Sequence, residues 1–181
     1  MQDTGIVRRI DELGRVVIPK ELRKTLRIRE GDPLEIYTNK DELIFKKYSP
    51  ISSINSYAEV VADGIEEVIE KPCIITDNDA VIYSSGKNKE FVGKIISNEL
   101  EKVMKERKSI VLNKSDGGRM VSIIKGEDLE AENQIIVPIV SASGDCYGAV
   151  LVYDKDKSSR FGSSDVRFAK LGASFLSKQF D

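Results

Sequence analysis

The sequence predicts an α+β fold in two unlike parts: a small β-rich N-terminal unit and, behind a connecting helix, a larger domain with a central antiparallel sheet and flanking helices. Three observations carry this. Short alternating runs separated by turn residues fill the first 47 positions. Apolar residues then recur at helical spacing between Ile51 and Val68. Beyond Pro72, short strand-like runs are interspersed with two helical stretches. The expected divisions are residues 1–50, 51–71 and 72–181.

Residues 4–10 are expected to form a strand, Asp11-Glu12-Leu13-Gly14 a turn, and residues 15–18 a second strand. Pro19 suits the first position of a short helix over residues 20–26, because its φ is already helical and its missing N–H would have no partner there. Glu30-Gly31-Asp32-Pro33 makes a turn, and residues 34–37 and 43–47 alternate around Asn39-Lys40-Asp41 as a second hairpin. So small a unit buries too little apolar surface to stand alone without disulfides, metal or a partner. No disulfide or metal site is available, so a second copy of the chain is the physical remedy.

Ile51, Ile54, Ala58, Val61, Ile65 and Val68 are spaced 3, 4, 3, 4, 3. This stripe admits two readings, an amphipathic helix packed on its own domain or the seam of an intersubunit bundle, and the second is preferred here. Lys71-Pro72 ends the helix. Residues 73–76 and 81–84 flank Asp77-Asn78-Asp79 as a hairpin, residues 97–107 form a helix, and residues 110–112, 120–124, 134–140 and 147–153 are further strands. A final helix over 164–180 repeats Phe168, Leu171, Phe175 and Leu176 at helical spacing, with Ser163 or Ser164 as its cap and Asp165 in its first turn.

The composition excludes much chemistry. There is no histidine among the 181 residues, so Ser-His-Asp and Cys-His relays and His-ligated metals are ruled out, and no enzymatic activity is expected. The two cysteines, Cys73 and Cys146, lack paired spacing and sit in apolar strand-like runs, as small buried hydrophobes do. The glycines a phosphate loop needs upstream of Gly86-Lys87 and Gly93-Lys94 are Val81 and Asn88 instead. Asp77 and Asp79 fit a hairpin turn better than a calcium loop, and no metal is assigned. The weakly charged run 134–153 is broken by Pro138, Ser141, Ser143 and Gly144 and contains Asp145, and the N-terminus lacks an apolar stretch after its arginines. No signal peptide or membrane partner is expected, and the protein is expected in the cytoplasm.

Charge is distributed unevenly. The chain has a net charge of -2, yet residues 1–29 hold eight basic side chains (Arg8, Arg9, Arg15, Lys20, Arg23, Lys24, Arg27, Arg29) and four acidic ones, net +4. In a symmetric dimer that excess appears twice on one body, which suits the phosphate backbone of double-stranded DNA. Arginine forks also read guanine edges bidentately.

Residues 4–48 resemble the DNA-binding domain of the AbrB family of transition-state regulators. The motifs are Gly5-Ile6-Val7-Arg8, the run Asp11-Glu12-Leu13-Gly14-Arg15-Val16-Val17-Ile18-Pro19, the helix Glu21-Leu22-Arg23 and the hairpin start Gly31-Asp32-Pro33-Leu34-Glu35. The resemblance implies a swapped-hairpin β-barrel made by two interlocked chains. It carries DNA binding onto Arg8, Arg15 and Arg23, with Lys24 where another arginine often stands, and with Arg9 and Lys20 in support. The remainder resembles a GAF domain through Val137-Pro138-Ile139, Gly144-Asp145-Cys146-Tyr147-Gly148-Ala149-Val150-Leu151 and Phe161-Gly162-Ser163-Ser164-Asp165.

Together these resemblances imply a transcription regulator of sporulation genes, activator and repressor, at the nucleoid of the forespore. They imply a homotetramer in which the stripe from Ile51 to Val68 and the terminal-helix residues Phe168, Leu171 and Phe175 supply the bundle. GAF domains elsewhere bind cyclic nucleotides, bilins or amino acids. The Asn-Lys-x-x-x-Phe-Asp-Glu motif is absent here, no cofactor is expected and the small-molecule ligand stays open. Two other readings compete: an antitoxin-type autoregulator built on a related barrel, and a GAF-type thiol reductase relying on Cys73 and Cys146.

Overall fold

The computed structural model describes residues 5–48 and 55–180. The chain divides into two compact units, Met1–Tyr48 and Ser49–Asp181.

In the first unit, α1 (Lys20–Thr25) begins behind Pro19, which stands at the N-cap with φ -56°. The helix ends because Arg27 turns left-handed at φ 53°. Ile28 N–H then donates to the Arg23 carbonyl at 2.7 Å, which satisfies a carbonyl the last turn would otherwise leave open. β1 (Leu34–Asn39) and β2 (Glu42–Lys47) form the second expected hairpin, with Ile36 opposite Phe45 and Tyr37 opposite Ile44. The Lys47 ammonium fastens the hairpin to the helix end, donating to the Arg27 carbonyl at 3.0 Å and pairing with Asp32 at 3.2 Å.

The first expected hairpin does not form as a ladder. Thr4 lies outside the described residues, and residues 5–10 and 15–18 carry no strand; only the turn at Asp11 to Gly14 is present. Alternation decides which side chains share a face, but a strand exists only through a neighbour's hydrogen bonds. Among the described residues no strand pairs with this segment.

The second unit is a five-stranded antiparallel sheet in the order β4-β3-β7-β6-β5. Its strands are β3 (Cys73–Thr76), β4 (Val81–Ser84), β5 (Ile110–Asn113), β6 (Asn133–Val140) and β7 (Cys146–Asp154). On one face α2 (Asn55–Ile69) and α4 (Ser163–Ser177) pack over Ile75, Ile135, Val137, Val150 and Val152. On the other face α3 (Asn98–Glu106) and the segments around Ile96 and Ile123 cover Ile74, Ile136, Leu151 and Tyr153. Ser97 caps α3 by accepting from Leu100 N–H at 3.1 Å. α4 is capped at Gly162, not at Ser163 or Ser164, and Asp165 Oδ2 reaches back to accept from Gly162 N–H at 2.7 Å.

Two further expectations are corrected. Residues 120–124 form no strand; Ile124 makes only isolated bridges to Ile96 and Glu127. The Gln134 side chain takes a strand's place, accepting from Val121 N–H at 2.9 Å and donating to its carbonyl at 3.0 Å. The stripe on α2 is not a uniform intersubunit seam. Ala58 and Ile65 are buried in the chain's own core and Val61 packs against it, whereas Val68 is 56% exposed. Ile51 and Ile54 lie outside the described residues. The physical reason is a close approach: Gly172 of α4 faces Val61 and Ile65 with no room for a Cβ, so one side of α2 is spent on its own domain.

Candidate nucleic-acid interface

The expected cationic residues of the first unit, Arg8, Arg9, Arg15, Lys20, Arg23 and Lys24, are all exposed. Lys20, Arg23 and Lys24 share the short α1, where positions three and four apart lie on one side. Arg23 and Lys24 fall in its last turn, favourably placed against the helix dipole. Arg8 and Arg9 lie on the segment before the Asp11 turn.

Arg15 is built into that turn. Asp11 N–H donates to the Arg15 carbonyl at 3.0 Å, and Gly14 N–H to the Asp11 carbonyl at 2.9 Å. Gly14 adopts φ +75°, a conformation glycine tolerates without strain. The Asp11 carboxylate accepts three more bonds: Oδ1 from Leu13 N–H at 3.0 Å and from Arg15 N–H at 2.8 Å, and Oδ2 from the Arg15 Nε at 2.8 Å. The Arg15 backbone N–H and guanidinium hold the Asp11 carboxyl below its usual pKa, with the Leu13 N–H adding to this against a small opposing effect of burial. Asp11 was legible only as a turn residue, because its pairing with Arg15 depends on the turn at Gly14 and not on helical spacing.

The same unit exposes much apolar surface. Val7 is 86% exposed, Val17 73%, Ile36 59% and Leu43 58%, and Pro19 is the single buried residue among positions 5–48. An isolated two-stranded hairpin with its apolar residues in water is at best marginally stable.

In the second unit the outer side of α2 and α4 is apolar too. Tyr57, Val60 and Val68 on α2 and Phe168, Leu171 and Phe175 on α4 are between 40% and 68% exposed, with the Tyr57 and Phe175 rings 6.0 Å apart. Tyr57 and Val60 were absent from the expected stripe, although they repeat at i, i+3 with Gly64 and Val68 further along the same side.

On the opposite face of the sheet, a cleft of about 420 Å³ is lined by Glu99, Arg119, Val121, Ser122, Leu129 and neighbouring residues. Glu99 is engaged there, accepting from Arg119 at 3.2 Å and from Ser122 N–H at 2.9 Å. On that face the buried hydroxyls of Thr76, Ser84 and Tyr153 have no partner among the described residues. The cysteines are poorly disposed for chemistry: burial, with Glu66 and Asp63 adding to it, pushes the fully buried Cys73 thiol far up, and burial also raises Cys146.

No helix among the described residues is long and apolar enough to cross a membrane. The family model of the stage V sporulation protein T C-terminal, transcription factor, matches residues 53–181, and that of the MazE bacterial antitoxin matches residues 7–52. The chain is 44% identical to stage V sporulation protein T of Bacillus subtilis (strain 168) over 183 aligned positions, covering 100% of this chain and 99% of that one. It is 53% identical over 66 residues to the transition state regulatory protein AbrB of the same organism, covering 36% of this chain and 69% of that one. Among solved structures, the GAF domain of an Acinetobacter phosphoenolpyruvate-protein phosphotransferase aligns with a TM-score of 0.56 at 17% identity, covering 90% of this chain and 93% of that one, a likeness of fold. With both its full length and its C-terminal domain matched, the chain belongs to the stage V sporulation protein T family of transcription factors.

Proposed function

We propose that the protein is a homo-oligomeric, sequence-selective DNA-binding regulator of sporulation genes, activating some and repressing others, at work in the cytoplasm on the nucleoid of the forespore. The observation that carries this is the exposed cationic set of Arg8, Arg9, Arg15, Lys20, Arg23 and Lys24, in a chain 53% identical over 66 residues to a transition state regulatory protein. Phosphate neutralisation by such side chains supplies affinity, and forked arginines add discrimination between bases.

Dimerisation through the first unit would cover the apolar surface around Val7, Val17, Ile36 and Leu43 and would bring strands of a second copy beside residues 5–10 and 15–18. Pairing through the outer side of α2 and α4 would raise the dimer to a tetramer. The second unit then sets the oligomeric state and takes a small signal molecule; the cleft beside Glu99 and the unpartnered hydroxyls on the same sheet face favour that face for it. The protein acts by binding and not by catalysis, a reading supported by the absence of histidine and the burial of Cys73.

The test is DNA affinity against salt. Log K is expected to fall with a slope of about -0.9 per phosphate neutralised, and Arg15→Ala to weaken binding by about tenfold or more. Undiminished binding in that variant removes Arg15 from the interface. The antitoxin reading has the match of residues 7–52 in its favour, but the sheet domain that follows is folded, unlike the short disordered tail that wraps a toxin.

A further inference from the structure

Resting on the DNA reading above, the arrangement at the first turn says more about how Arg15 is used. A free arginine on a surface loop samples many rotamers and presents its full charge to any phosphate within reach. Arg15 does neither. Its Nε is committed to Asp11 Oδ2 at 2.8 Å, and the other carboxylate oxygen is committed to the loop backbone through Leu13 and Arg15 N–H. The carboxylate is therefore anchored before it meets the guanidinium, unlike a typical surface ion pair between two mobile chains.

The Arg15 side chain remains 69% exposed. Asp11 is met through Nε, and no hydrogen bond to the Nη1–Nη2 end of the fork is made among the described residues. That end carries the parallel pair of donors which matches guanine O6 and N7. A carboxylate in contact meanwhile offsets much of the charge a distant phosphate would feel.

We propose that Asp11 is a positioning residue that converts Arg15 from a phosphate neutraliser into an end-on reader of a base edge. Asp11 gives up non-specific affinity and gains discrimination between sequences.

The experiment uses the full chain and two duplexes of equal length, one enriched from a random library by the wild-type protein and one scrambled, each titrated over a salt series. Asp11→Asn keeps an Oδ1 acceptor for the Leu13 and Arg15 N–H groups but offers Nε an amide NH₂ in place of an oxygen. It is expected to lower the enriched-to-scrambled affinity ratio about tenfold, to bind the scrambled duplex more tightly, and to steepen the salt slope by about 0.9 per released Arg15. Arg15→Ala is expected to lower the ratio as far without steepening the slope. Glu12→Gln, which removes the neighbouring acidic charge, is expected to tighten both duplexes alike and leave the ratio unchanged. If Asp11→Asn proves unstable by thermal melting, Asp11→Ser, whose hydroxyl can still accept within the turn, takes its place.

A ratio unchanged in Asp11→Asn but collapsed in Arg15→Ala overturns the role of Asp11 and leaves the DNA reading standing. An equal fall of the ratio in Glu12→Gln overturns it as well, by making the effect one of general charge. Wild-type behaviour of Arg15→Ala removes Arg15 from the interface, and both readings of that residue fall together.

Discussion

A Cβ placed on Gly172 of α4 would lie 2.7 Å from Cδ1 of Ile65 on α2 and 2.8 Å from Cγ1 of Val61. The two helices thus meet over a glycine, and the contact fixes which side of α2 faces inward. Gly172→Ala gains about 1 kcal/mol of helix propensity but forces an overpacked contact costing about 1–3 kcal/mol. A net loss of about 1 kcal/mol in denaturant unfolding is expected from these two effects. Ile65→Val removes the nearest methyl, so the double variant should be more stable than the sum of the two single losses. Strict additivity would show that the approach is not a packing constraint.

The outer side of the same helix pair makes the opposite prediction. Leu171 is 67% exposed, and nothing lies within 4 Å of a Cβ on Gly64 of α2. Leu171→Glu is expected to leave the circular dichroism spectrum and the melting of the second unit unchanged while lowering the proposed tetramer to a dimer in sedimentation. An unchanged sedimentation coefficient would remove α4 from the interface.

Acid should weaken the second unit through Asp154. Burial raises its carboxyl pKa, but the Ser159 hydroxyl, the Lys71 ammonium at 2.9 Å and the Asp156 N–H together outweigh it and hold the pKa below its ordinary value. A carboxyl depressed by folding adds stability that is present above the unfolded value of about 4 and lost as pH falls through the folded one. The urea midpoint of Asp154→Asn should therefore lie well below that of the wild type at pH 6, and the gap should narrow by pH 3. A gap independent of pH would assign the loss to packing instead of charge.

The thiols should react in order of access. Cys73 is fully buried and Cys146 partly so, and burial raises both. Iodoacetamide at pH 8 is expected to label Cys146 slowly and to spare Cys73 until the protein unfolds. Rapid labelling of Cys73, or a methionine sulfoxide reductase activity lost when both cysteines become serine, would restore the enzymatic reading.

Legibility followed the range of the interaction. The β1–β2 hairpin could be placed from sequence because its alternation, its Asn-Lys-Asp turn and its ladder all lie within 14 consecutive residues. The segment 120–124 looked equally strand-like, yet the Val121 N–H and carbonyl are taken by the side-chain amide of Gln134 and the Ser122 N–H by the Glu99 carboxylate, which composition does not announce. The cationic set was legible residue by residue. That Arg15 would arrive already bonded through Nε was not, since it depends on Gly14 turning the chain back onto Asp11.

Residue types and short-range spacing settled the basic end, the turns, the helix stripes and the exclusion of imidazole chemistry, all properties of side chains and their near neighbours. Folding in three dimensions settled the remainder. It turned Ala58 and Ile65 inward and left Val68 outside, because a helical stripe of period 3.6 declares which residues share a side and not what that side will meet. It also left residues 5–18 without a ladder. A strand is completed by hydrogen bonds from another segment, and among the described residues no strand pairs with this one.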